Sequence, residues 1–153
     1  MSVKSWLLTV FRELFLYHYK SLEFRAEVFA LIIAPGCKNA KDCSFKILKE
    51  VAAEIYKNDR HRQDVFLNIT RGYAAMILRN EPASYDEAIK DINRKVRANK
   101  SFAMKINMNH INRFLRDDIS EDKRFLQQRI AEFLEDQSKE ASCPINIVKS
   151  ESL

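Results

Sequence analysis

Four glutamates raise the question of chemistry first. Glu23 with Glu27, and Glu50 with Glu54, stand four residues apart, so on helices each pair shares a face and repels mildly unless a cation lies near. Converging, the four carboxylates would suit a hard divalent ion. A di-iron bundle, however, needs Glu-x-x-His on paired helices, and neither pair has that histidine. Lys46 lies four residues before Glu50, Lys57 three after Glu54, and Arg25 between Glu23 and Glu27; solvated helix faces account for the same residues. We expect no metal and no cofactor, with Glu23, Glu27, Glu50 and Glu54 as the positions to inspect.

The remaining reactive types are sparse. His18, His61 and His110 are far apart, and no nucleophile elbow, phosphate loop or metalloprotease helix accompanies them. His61, among Asp59, Arg60, Arg62 and Asp64, reads as an exposed histidine in a first helical turn. Cys37, Cys43 and Cys143 are an odd number without framework or zinc spacing, which suits a reducing, cytoplasmic setting. Asn68-Ile69-Thr70 matches a glycosylation acceptor, but its mid-helix position makes the match accidental. No enzymatic activity is expected.

Charge is unevenly spread. Between Lys90 and Arg116 stand Lys90, Arg94, Lys95, Arg97, Lys100, Lys105, Arg113 and Arg116 against one acid, Asp91, a net of +7 in a chain of net charge +5. Of these, Lys90, Arg94, Arg97, Lys100, Lys105 and Arg113 are the candidate anion-binding residues, for phosphates of nucleic acid or of an acidic membrane. The plainer reading is a solvated face balanced by the acidic last helix, and no nucleic-acid motif or stacking platform argues against it.

The elements that position these residues are helices. A chain of 153 residues with 46% hydrophobic content fills one domain, and two glycines and three prolines leave little room for hairpins. From Val3 to Lys20, an amphipathic helix presents Trp6, Val10, Phe11 and Leu14 on one apolar face, a candidate for packing on the bundle, for self-association or for lying on a membrane. Arg12 and Glu13 interrupt it, well short of the roughly 18 to 20 apolar residues of a span, and no export signal follows. A second helix runs from Glu23 to Ala34 and stops at Pro35-Gly36.

The third helix, capped by Asp42, buries Phe45, Leu48, Val51, Ala52, Ile55 and Tyr56. A break at Asn58-Asp59 leads to the fourth, burying Val65, Phe66, Ile69, Tyr73, Met76 and Ile77, with Gly72 admitting a neighbouring helix. Ser84 with Glu87, and Asp118 with Glu121, carry capping-box spacing for the fifth and last helices. Between them lie a short piece around Phe102 and Ile106, and a helix from Met108 to Leu115 capped by Asn107 or Asn109, with Ile111, Phe114 and Leu115 inward. The expected division is an N-terminal helix over 1–21, a helical domain over 22–140 and a flexible tail over 141–153.

At Phe29-Ala30-Leu31-Ile32-Ile33-Ala34, Gly36, and Phe45-Lys46-Ile47-Leu48-Lys49-Glu50-Val51-Ala52, the chain resembles the TerB-like domains, named for tellurite resistance. The resemblance spans Glu23 to Leu78. It implies an all-α, compact single-domain bundle of about seven helices acting as a stress-linked interaction module. Such domains commonly carry an acidic residue before the turn glycine; here Pro35 stands there and the following loop is basic, which speaks against the divalent-metal binding of some members. The expected partner is another protein or a second copy of this chain.

Overall fold

The computed structural model describes residues 3–38 and 45–142, apart from the side chains of residues 4, 6–18 and 142. Among the described residues there are six α-helices: α1 (Val3–Ile33), α2 (Lys46–Ile55), α3 (Arg60–Arg79), α4 (Ala83–Ala98), α5 (Met108–Ile111) and α6 (Glu121–Lys139). With the 3-10 helix Lys100–Lys105 they form an all-α, single-domain bundle of seven helices, and there is no strand among the described residues.

The first correction concerns α1. The two expected N-terminal helices are one helix of 31 residues, because Ser21 and Leu22 contain neither glycine nor proline and nothing interrupts the hydrogen-bond ladder there. From Phe24 to Ile33 this helix is buried on nearly every side, Ala26, Ala30, Leu31 and Ile32 completely, as is Ala34 just beyond its end. A helix apolar all round belongs at the centre. It packs most extensively on α3 and also meets α4 and α6. Phe29 is its hub, with ring centroids 5.6 Å from Phe66 and 5.5 Å from Phe114, both edge-on, the arrangement aromatic quadrupoles favour.

Local signals were read with mixed outcome. Asp59 caps α3 by accepting a hydrogen bond from the Arg62 amide, and Asn107 caps α5 through the Asn109 amide. Neither expected capping box forms. Ser84 lies inside α4, its hydroxyl donating to the Ile77 carbonyl at 2.5 Å and tying α4 to α3; Ser120, not Asp118, caps α6. Asp118 is instead held by the Arg116 guanidinium. Gly72 is exposed, with open space where a Cβ would stand, so no helix approaches it. Met76 is 57% exposed rather than buried. Leu115 is 40% exposed, since the helical run ends in a 3-10 turn at Phe114 and the backbone becomes extended.

Gln127 reached the core where the sequence offered only polarity. It is buried, its amide nitrogen donating to the carbonyls of Ile32 and Phe114, each at 2.9 Å, while its oxygen accepts the Arg116 amide. These bonds satisfy a carbonyl at the end of α1 that the helix itself leaves open. Gly36 lets Arg116 close the same corner: the guanidinium donates to the Gly36 carbonyl at 2.9 Å, and a Cβ on Gly36 would meet the Arg116 Cδ at 3.0 Å.

Cys37 is buried and disulfide-bonded. This departs from reduced thiols, since a cysteine count carries no information about which sulfurs meet in space. Asp42, the side chains of Trp6, Val10, Phe11 and Leu14, and the tail beyond 142 lie outside the described residues. Among the described residues no helix is long and apolar enough to cross a membrane.

Candidate functional site

One of the four glutamates is placed where a charge is costly. Glu27 is 4% exposed, lying in the part of α1 that forms the centre of the bundle. A buried carboxylate needs a partner, and α4 supplies two. Glu87, Asp91 and Lys95 follow one another at four-residue spacing along one face of α4. Lys95 Nζ lies 2.9 Å from Glu27 and 2.9 Å from Asp91, bridging both carboxyls, and Arg94 also pairs with Asp91.

Proton occupancy follows from this geometry. Burial, helped by the hydrogen bond to Asp91, pushes the Glu27 carboxyl up to about 7 despite Lys95. Burial also opposes ionisation of Asp91, but hydrogen bonds from Glu27, Lys95 and Arg94 outweigh it and bring that carboxyl down to about 2. Around pH 7 the Glu27 carboxyl is therefore about half protonated while Asp91 stays ionised, and when protonated Glu27 donates to Asp91.

Above the pair opens a cleft of about 340 Å³, lined by Glu27, Tyr73, Met76, Ile77, Asn80, Ser84, Glu87, Ala88 and Asp91. The Tyr73 hydroxyl donates to Glu23 at 2.7 Å, and burial together with this bond holds it protonated well above the usual phenol range. Met76, Ile77 and Ala88 supply apolar wall; Glu87 and Asp91 make the polar wall acidic. Such a site favours a cation carried on an apolar stem.

The other sequence candidates are distributed differently. Glu54 accepts two hydrogen bonds from Arg113, at 2.9 and 3.1 Å, and lies 3.1 Å from His110 Nε2; the Arg113 bonds, with His110, keep its carboxyl below the usual range. The two glutamate pairs thus part, Glu23 and Glu27 toward α3 and α4, Glu54 toward α5 and the turn after it. Among the described residues no three His, Cys, Asp or Glu side chains stand together as metal ligands.

The basic segment is largely neutralised. Arg94, Lys95, Lys100, Arg113 and Arg116 pair with Asp91, Glu27, Glu140, Glu54 and Asp118. Lys90, Arg97 and Lys105 join none of the ion pairs among the described residues. Lys90, Arg94 and Arg97 do share one face of α4, beside a shallow groove completed by Ile89 and Asn93.

Sequence reasoning found Glu27 but not its partners. Asp91 entered only as the single acid of a basic run, and Lys95 as one more cation. The available signals were an acid between apolar neighbours, Ala26 and Val28, and three ionisable residues at four-residue spacing on α4. Fold and site together define an all-α bundle with an acidic cleft above the buried Glu27, which shares Lys95 with the half-buried Asp91. Family models, curated proteins and solved structures offer no match to this chain.

Proposed function

We propose that this protein is a non-enzymatic, TerB-like interaction module that receives a protein partner in the cleft between α1, α3 and α4. The observation that carries the reading is the cleft itself: an apolar wall ending in the exposed Met76, facing Glu87 and Asp91 over the buried Glu27. An exposed methionine beside acidic groups fits a partner segment that pairs an apolar side chain with a basic one. A stress-linked role accompanies the resemblance in the region Glu23 to Leu78.

A second reading rests on the groove of Lys90, Arg94 and Arg97, whose three exposed cations on successive turns suit a phosphate backbone. One experiment separates the two. The wild-type protein, a cleft double variant (Met76→Glu with Glu87→Lys) and a groove double variant (Lys90→Glu with Arg97→Glu) are used as baits in native lysate, with and without nuclease, at low and high salt. Recovery of a discrete protein that survives nuclease and salt, and that only the cleft variant loses, is the expected result. Recovery of nucleic acid that collapses with salt and with the groove variant would replace the first reading by the second.

A further inference from the structure

The cleft has a charge imbalance that one added cation would relieve. Groups from three helices face Glu27 or its partners: Glu23 from α1, Tyr73 from α3, and Glu87, Asp91, Arg94 and Lys95 from α4. Tyr73 stays neutral and donates to Glu23. Arg94 also pairs with Asp91, and because its side chain is 75% exposed its charge is partly screened. Lys95 is the one cation inserted between Glu27 and Asp91, at 2.9 Å from each. In the 3-10 helix Lys100–Lys105, which also packs on α1, Lys100 turns to Glu140 at 2.7 Å.

Four carboxyls, those of Glu23, Glu27, Glu87 and Asp91, thus stand against two cations, Lys95 and Arg94. Burial of Glu27 favours a proton on its carboxyl, which lowers that excess of negative charge in the unliganded protein. A cation entering the cleft would do the same work, because the cleft opens directly onto Glu27 and Asp91.

We propose that the cleft exchanges a proton for a cation: when the ammonium or guanidinium of a partner's Lys or Arg side chain enters between Tyr73, Met76 and Glu87, Glu27 releases its carboxyl proton to solvent. The inference rests on the cleft as the interaction site and adds its ligand chemistry and its pH dependence. Ionised Glu27 keeps Lys95 and gains the incoming cation, while the stem of that side chain covers Met76, Ile77 and Ala88. Binding is therefore stronger at higher pH. Acidification returns the proton and expels the cation.

The test uses n-butylammonium and n-butylguanidinium as probes, both cationic from pH 6 to 8, and n-butanol as the neutral control. Amide shifts of the full-length, isotope-labelled protein are followed at pH 6 and pH 8, and the Glu27 carboxyl carbon is titrated with and without probe. With a midpoint starting near 7, linkage gives about a tenfold tightening of the cationic probes between those pH values. The expected results are that tightening, shifts centred on Tyr73, Met76 and Ala88, a lowered Glu27 midpoint at saturation, and butanol binding that ignores pH. In Glu27→Gln the cationic probes should lose their pH dependence. Probes that shift the cleft equally at both pH values, with the wild-type Glu27 midpoint unmoved, would overturn proton exchange and leave the interaction site standing. Cationic probes that leave the cleft resonances unshifted at both pH values would overturn both.

Discussion

Glu27 shows how one residue's cost can be arranged as a response. Its neighbours in sequence are apolar, and the bundle buries it with them; only Lys95 and Asp91 from α4 make the burial tolerable. The consequence for stability has a definite sign. Unfolded, Glu27 gives up its proton near the ordinary 4.5; folded, it holds it to about 7. The folded state binds the extra proton between those values, so this stabilisation is complete below pH 4.5 and is lost as pH rises through 7, by roughly 3 kcal/mol. Asp91 works oppositely and in a separate window: its contribution is present above 3.8 and is lost as pH falls through about 2. Urea unfolding at pH 5 and pH 8 should show the first loss in the wild type. Glu27→Gln, which keeps the shape of the protonated acid, should largely remove it, and an undiminished loss in that variant would assign the effect to other groups.

At the scale of elements, periodicity marks most of the buried faces of α2 to α6, while several ends and one junction differ from the expectation. Two amphipathic patterns joined at Ser21-Leu22 are one helix, since a change in which faces are apolar does not require a break in the backbone. Capping was legible at Asn107, whose side chain accepts the Asn109 amide, whereas Asp59, expected only as part of a break, caps α3. It failed at Ser84 and Asp118, where Ile77 and Arg116 offered those side chains other partners. Gly72 gives a clean measure of propensity. It occupies the middle of α3 with open space beside it, so Gly72→Ala should stabilise the protein by about 0.5 to 1 kcal/mol, read as a higher urea midpoint with unchanged slope. A destabilised alanine variant would mean that this face of α3 is covered in solution.

The whole molecule is organised around the buried half of α1. Phe29 joins α3, through Phe66, to the turn after α5, through Phe114, and Tyr56 extends the cluster at 5.7 Å from Phe66. Phe29→Ala should cost about 3 to 5 kcal/mol, a large share of the roughly 5 to 15 kcal/mol that holds an ordinary domain together. Loss of a cooperative thermal transition, or a fall in melting temperature of many degrees, is the expected reading. A change of only a few degrees would mean that the hub can repack around the cavity. Charge also resolves at this scale, because distant acids such as Glu54 and Glu140 neutralise much of a segment that looks basic in isolation.

The sequence by itself determined the helical class, the apolar centre at Phe24 to Ala34 and the faces of most helices, because helical period, sparse glycine and sparse proline are local properties. Only the tertiary structure decided that Glu27 would be buried against Lys95 and Asp91, that Gln127 would close the end of α1, and that Glu54 would hold Arg113. Those pairings join residues between 59 and 95 positions apart in the chain. Their energies depend on burial and on distances of about 3 Å, which helix packing sets and no local pattern encodes.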